Sequence, residues 1–298
     1  MLNDQQIAFY RDHGYLVLEG HIPLDQLAPL RAALKRLVAG ARGLDASDDV
    51  YDLEDSHRPD GPRVRRIKLP HKVDPAFDTL LRSEAILGPV RDLIGPALRL
   101  HTSKLNLKSA GFGAAVEWHQ DWAFYPHTND DILAVGVMLN DVGPDNGPLL
   151  VLPGSHRGPI CNHHADGRFC GAIDVAASGL DLDRAVALTG PAGSISLHHV
   201  RTVHGSDLNR SAADRALLLY EITAADAWPL AGSMSKFGEL ADYDEKLLCG
   251  AGTIEPRLAN VPVRLPQPGP VAGGSIYENQ KGSATRFFDV RDGPGEPR

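Results

Sequence analysis

The tightest constraint on the fold is a change of hydrophobic period near residue 98. Upstream, apolar residues recur at helical spacing. Downstream they come in short runs with no helical pattern between them. Leu98, Leu100 and Thr102 alternate with Arg99, His101 and Ser103, the period of two that turns one strand face inward. Residues 132–139 are nearly all apolar, as in a strand buried on both faces. Residues 149–152, 186–188, 194–198 and 216–222 are further strand-like runs, and Asp145-Asn146-Gly147 is a turn signal before the first of them. Short strands that follow one another without helices between them predict an antiparallel barrel or sandwich.

The upstream part supplies helices. Residues 4–11 read as a helix capped by Asn3 or Asp4, and 15–18 as a strand. In 23–38, Leu27, Leu30, Leu34, Leu37 and Val38 share one helical face. Residues 40–63 are polar and acidic with Gly and Pro, and read as a mobile loop. Asp74-Pro75 starts a further helix carrying Phe77, Leu80, Leu81 and, past Gly88-Pro89, Val90, Leu93 and Ile94. Beyond 226 a helix is expected around 239–248, then Pro- and Gly-rich loops and a tail. No internal repeat is visible. The sum is one α+β, mainly β domain over 1–298: a helical flank to about 95, a β core over about 96–225, and a C-terminal extension over 226–298.

Charge and cysteines bound the function classes. A formal net charge of −8 argues against a general nucleic-acid binder or an anionic-membrane binder. No apolar run approaches the roughly 20 residues of a membrane span, and the first residues carry no secretory signal. Cys161, Cys170 and Cys249 form no zinc pattern and read as free thiols of a cytoplasmic protein, monomer or homodimer.

The chemistry lies between residues 118 and 215. His119-Gln120-Asp121 places an imidazole and a carboxylate at i and i+2, which on a strand share a face. With a distant second histidine, His204, this is the two-histidine, one-carboxylate triad that holds Fe(II) and leaves positions open. Structural zinc would want four closed ligands. Taken alone, the same residues also suit a hydrogen-bonded strand edge and a satisfied core histidine. A Ser-His-Asp hydrolase lacks its Gly-x-Ser-x-Gly elbow here.

Trp118-His119-Gln120-Asp121, Asn146-Gly147-Pro148-Leu149, Pro153-Gly154-Ser155-His156 and His204-Gly205-Ser206, followed by Asn209 and Arg215, occur in this order. In these motifs the chain resembles the phytanoyl-CoA dioxygenase family over about residues 5–225. The resemblance implies a double-stranded β-helix (jelly-roll, cupin-like) core and an Fe(II)- and 2-oxoglutarate-dependent dioxygenase that hydroxylates a small organic metabolite. It also implies that O2 and 2-oxoglutarate become succinate and CO2. Iron falls on His119, Asp121 and His204. Arg215, eleven positions after His204, takes the far carboxylate of 2-oxoglutarate, helped by Ser206. Gln120, Ser103 and Lys68 are placed near the co-substrate, and Trp122, Phe124 and Tyr125 on the substrate pocket.

Lys108 reads as solvated, Arg210 as a surface residue, His156 as part of a turn, and the pairs His163-His164 and His198-His199 as non-ligands. A carboxylate at 121 fills the place where related halogenases leave room for chloride, so hydroxylation or desaturation is expected. The alternatives are a metal-binding jelly-roll module for small-molecule binding or sensing, and a metal-dependent isomerase or hydrolase on a similar barrel. Substrate choice is expected to lie in loops 40–63, 125–131 and 161–180 and in the C-terminal tail. Residues 161–180 are expected to form a mobile lid. Apart from Arg63, Arg65, Arg66 and Lys68 there is no basic patch for a CoA phosphate, which favours a free small molecule over a thioester.

Overall fold

The computed structural model describes residues 1–111, 113–231, 240–271 and 273–288. Two antiparallel sheets form its centre. The larger has the order Tyr15–Leu18, Ile195–His199, Ile132–Met138, Arg215–Ala224, Leu98–Lys108, Val64–Lys68, Tyr51–Leu53, and Leu247–Cys249 adds to Leu98–Lys108. The smaller has the order Val186–Leu188, Leu149–Val151, His204–Ser206, Val116–His119. From Leu98 onward the chain passes repeatedly from one sheet to the other, so strands close in sequence are seldom neighbours in a sheet.

Period-two alternation sorts the side chains. On the outer face of the larger sheet, Leu105, Leu107, Ala216, Leu218, Tyr220 and Ile222 join the main core. Against them pack Leu27 and Leu30 of helix Leu24–Gly40, Phe77 and Leu81 of Pro75–Leu81, and Ile86 and Val90 of Glu84–Ile94. Each such fully buried side chain contributes about 1.5–3 kcal/mol of transfer free energy. On the inner face, Lys104, Asn106 and Lys108 of one strand and Arg215, Leu217, Leu219 and Glu221 of its neighbour line a cavity between the sheets. The helices start where their caps are. Asn3 and Gln6 form a reciprocal capping box at 2.9 Å each way, and Asp74 accepts from Ala76 N–H ahead of Pro75.

Three readings change. Residues 40–63 are not only a loop: Tyr51–Leu53 is a buried edge strand paired with Val64–Lys68, so the flank before 95 contributes three strands as well as helices. Near 239–248 the helix is only Leu240–Asp244, followed by the strand Leu247–Cys249; Glu239 lies outside the described residues. The C-terminal extension also contains a helix, Ile276–Gln280, capped by Ser275. Among the described residues no helix is long and apolar enough to cross a membrane. Cys161, Cys170 and Cys249 are free.

Candidate active site

His119 closes the strand Val116–His119, and His204 opens the strand His204–Ser206. The two stand opposite in antiparallel register, with ring centroids 4.1 Å apart. Both rings are held by the same device. Nδ1 of His119 lies 2.8 Å from the Glu117 carbonyl oxygen, and Nδ1 of His204 lies 2.9 Å from that of Thr202. A nitrogen facing a carbonyl oxygen must donate, so the proton sits on Nδ1 and Nε2 keeps its lone pair.

The carboxylate does not come from the strand itself. After His119 the chain enters the short 3-10 turn Asp121–Ala123, which brings Asp121 to 3.7 Å from His119 Nε2 and 3.8 Å from His204 Nε2. One donor atom of each residue lies within 4.8 Å of the others, and all three residues are buried. Two imidazole nitrogens and one carboxylate oxygen about one point fit Fe(II) with open positions; structural zinc would be one ligand short.

The electrostatics suit a cation. Burial pushes His119 down to about 4 and His204 well below its usual value, so both rings are neutral. Burial alone would raise the Asp121 carboxyl. Opposing charge, led by Lys104, outweighs it and holds the group well below the usual carboxylate range. A third ring, His198 of the larger sheet, stands with Nε2 3.7 Å from Asp121 and its centroid 4.6 Å from that of His204. Its buried Nδ1 has no hydrogen-bond partner among the described residues.

The floor of the cavity is cationic. Arg215 and Lys108 are cross-strand partners, 3% and 1% exposed, and neither has a carboxylate at ion-pair distance among the described residues. Arg215 donates from Nε to the Gly147 carbonyl at 3.1 Å, and from Nη2 to the same oxygen. Gly147 sits in the Asn146-Gly147 turn with φ 72°, where a Cβ would come 2.7 Å from the Asp207 carbonyl oxygen. Lys108 Nζ donates to the carbonyls of Ser206, at 3.2 Å, and Asp207. Burial lowers Arg215 to about 10. Burial and then Arg215 hold Lys108 well below its usual value. Ser206, Asn106 and Tyr277 line the same cavity.

A wider mouth of 510 Å³ opens beside it. Lys104, Asp121, Glu221 and Ile276 line both spaces and so mark their junction. There Lys104 Nζ lies 2.5 Å from Glu221 Oε1. Tyr125 lines the mouth with Glu221 and Asp121, and burial, then the charge of those two carboxylates, holds its hydroxyl well above the usual value. Phe124 lines the mouth and meets His119 edge to face at 5.9 Å.

Several expected site residues lie elsewhere. Gln120 is fully buried and ties down the loop after it, donating to the carbonyls of Pro159 and Arg201 and accepting from Cys161 N–H. Trp122 is core rather than pocket wall: its indole N–H donates to the Pro262 carbonyl, and its ring packs with Ile132 and Val200. Lys68 is at the outer mouth, held by Asp52 at 2.9 Å and the Asp48 carbonyl at 2.6 Å, away from Arg215. Ser103, also at the mouth, shares a hydrogen bond with His71 Nδ1 at 2.6 Å. Lys108, expected in solvent, is buried, while Arg210 pairs with Asp207 at the surface as expected. Among the described residues, none of 161–180 lines either space; that segment holds a small hairpin and is pinned by Ile173 N–H to the Trp118 carbonyl. The wall is supplied instead by the helix Ile276–Gln280, whose Gln280 accepts from Glu117 N–H at 3.0 Å. A five-residue helix in a Pro- and Gly-rich stretch carries no periodicity to find it by.

Residues 10–217 match the family described as Phytanoyl-CoA dioxygenase (PhyH). The chain belongs to this family. A "Probable alpha-ketoglutarate-dependent hypophosphite dioxygenase" of Stutzerimonas stutzeri is 38% identical over 288 residues, covering 95% of this chain and 99% of that one. The ectoine dioxygenase of Sphingopyxis alaskensis is 30% identical and covers 71% of this chain and 72% of its own. The crystal structure of EctD from S. alaskensis with 2-oxoglutarate and 5-hydroxyectoine superposes with a TM-score of 0.64 at 27% identity, covering 87% of each chain. The phytanoyl-CoA dioxygenase family member described here is an Fe(II)- and 2-oxoglutarate-dependent dioxygenase acting on a small molecule.

Proposed function

We propose that this dioxygenase oxidises a small phosphorus oxyanion of the hypophosphite class. In this reading His119, Asp121 and His204 hold the iron, and Arg215 and Ser206 hold the far carboxylate of 2-oxoglutarate, within one domain whose core is a double-stranded β-helix. The passage of successive strands between two facing sheets supports that reading of the core.

The observation that carries the substrate is how far the likeness to the hypophosphite relative extends. It leaves too little of the chain out to miss the helix Ile276–Gln280, which walls the cavity outside the family match at 10–217. The ectoine dioxygenase likeness covers 71% of the chain. Chemistry at the mouth agrees, since Lys104 and Tyr125 line that space with Asp121. Arg65, Arg66 and Lys68 are each tied to a carboxylate, which leaves them poorly placed for CoA phosphates and supports a free small molecule.

When bound, the iron and 2-oxoglutarate supply the oxidant that puts one oxygen atom of O2 into a substrate bond to hydrogen, the other going to succinate as CO2 is lost. For hypophosphite the P–H bond becomes P–OH, giving phosphite. Two of the four electrons that reduce O2 come from that bond and two from decarboxylation. The chain's own part is to hold both anions close together and to limit water there, in a cavity lined by Leu217, Leu219 and Ile276.

The test is succinate release with Fe(II), ascorbate and 2-oxoglutarate, together with phosphorus NMR of the products. Phosphite and succinate should appear one for one from hypophosphite, with no coupled turnover of ectoine or L-proline. Coupled turnover of ectoine or L-proline with no phosphite formed would reject the substrate.

A further inference from the structure

The junction of the two spaces raises a question that the triad and Arg215 leave open: what holds the charged oxygens of the primary substrate. Four residues line both spaces. Asp121 is a candidate iron ligand, Ile276 is apolar, and Glu221 is an acid. The remaining one, Lys104, brings a positive charge. Its side chain is 21% exposed, through the cavity, while that of Glu221 is 2% exposed. The two lie on adjacent strands of the larger sheet, Leu98–Lys108 and Arg215–Ala224, and both project inward.

We propose that Lys104 grips the anionic oxygens of the primary substrate and that Glu221 is its resting partner. This rests on the oxyanion reading given above. An ammonium beside a metal centre needs a counter-charge when the site is empty, because a buried unpaired charge is costly. Glu221 supplies it at 2.5 Å. Lys104 is a flexible point charge with three donors, so it can reach a substrate oxygen with one donor while keeping Glu221 as its ion-pair partner. Tyr125 lines the mouth together with Lys104, Glu221 and Asp121, and its hydroxyl is a donor for a second oxygen of the same anion. With one oxygen on Lys104 and one on Tyr125, the P–H bonds of the substrate are turned toward the triad, since Asp121 lines the same junction. Glu221 and Asp121 also set a limit. Two carboxylates beside the site repel a second negative charge on the ligand, so singly charged oxyanions are preferred over doubly charged ones.

Binding, rather than turnover, tests this. The protein is loaded anaerobically with Mn(II) and 2-oxoglutarate, and hypophosphite affinity is measured by calorimetry. Lys104→Met leaves Glu221 buried without its partner and is liable to fold poorly, so the deciding variant is the double substitution Lys104→Met with Glu221→Gln, which removes both charges. Hypophosphite should bind that variant roughly tenfold to a hundredfold more weakly, the range expected for losing a charged hydrogen bond. Its 2-oxoglutarate affinity should stay within about threefold of wild type, because Arg215 is untouched. Glu221→Gln alone frees Lys104 and should bind hypophosphite at least as tightly as wild type. If the double variant binds hypophosphite like wild type, Lys104 is not the grip and the assignment falls while the substrate reading stands. If wild type binds 2-oxoglutarate and not hypophosphite, the substrate reading falls and takes this assignment with it.

Discussion

The two sheets bring different chemistry to the shared cavity. The smaller sheet contributes imidazoles whose protons are fixed by its own backbone: His119 on the Glu117 carbonyl and His204 on that of Thr202. The larger sheet contributes charge: Arg215 and Lys108 at the floor, and the Lys104–Glu221 pair at the junction. In the first region each ring's N–H is already satisfied, and only Nε2 is free to meet a metal. In the second, Arg215 and Lys108 meet only carbonyl oxygens among the described residues. A site can thus fix its metal ligands by local hydrogen bonds while leaving its anion-binding floor short of negative charge until the co-substrate arrives. Binding of 2-oxoglutarate should therefore stabilise the fold as well as complete the site.

The largest expected effect tests the smaller sheet. His119→Ala or His204→Ala should lower Fe(II) content from one per chain to near zero and abolish succinate formation, since two remaining donors do not hold the metal. The fold should survive, because among the described residues each ring bonds the backbone only at a carbonyl two residues away, a contact about 1 kcal/mol in worth. Metal analysis and thermal unfolding check both halves of the statement. Full turnover in either variant would break the triad assignment and the contrast with it.

The next effect tests the larger sheet. Arg215→Ala should weaken 2-oxoglutarate binding roughly tenfold to a hundredfold, the loss expected for a charge-assisted pair, and leave iron content at one per chain. Arg215→Lys keeps the charge without the fork and should fall between. Arg210→Ala is the comparison: that side chain is half exposed, pairs with Asp207 at 3.0 Å, and should change little. Calorimetry with Mn(II) under anaerobic conditions reads all three. Equal loss in the Arg215 and Arg210 variants would mean a general field effect instead of a specific pair.

What was legible beforehand divides along the same line. The triad is a local pattern plus one distant histidine, so His119, Asp121 and His204 could be picked out; Arg215 came from the family resemblance, and it lines the same cavity. Short apolar runs located most of the strands, and the alternation over 98–103 showed which face of that strand packs on the core. Side-chain direction beyond the strand end was not legible. The chain turns at Asp121–Ala123, so Gln120 and Trp122 point into packing, although they flank a metal-site residue in sequence. Lys104 and Glu221 carried no signal, and His198 read only as a non-ligand, for another reason. Each is unremarkable in its own segment and gains meaning only from the register of strands far apart in the chain, Leu219 opposite Lys104 and His198 opposite Ala134. The wall at Ile276 and Tyr277 had no signal, since a five-residue helix is too short for a hydrophobic period.

The smallest expected effect separates the two floor cations. Lys108→Met keeps the length of the side chain and removes the ammonium. It also leaves the carbonyls of Ser206 and Asp207 without their donor, at roughly 1–3 kcal/mol each. Against that stands relief of an ammonium that burial and the neighbouring Arg215 disfavour. The two nearly offset, so the melting temperature should move by no more than about 5 °C. The ammonium points at backbone carbonyls of the strand carrying Ser206, whereas among the described residues the guanidinium of Arg215 reaches only the Gly147 carbonyl and keeps donors for a ligand. Lys108 therefore acts as a strut under Ser206 and Arg215 as the fork, and 2-oxoglutarate affinity in Lys108→Met should change by no more than about threefold. A loss as large as that in Arg215→Ala would make the floor a two-cation clamp, with the carboxylate shared between cross-strand partners.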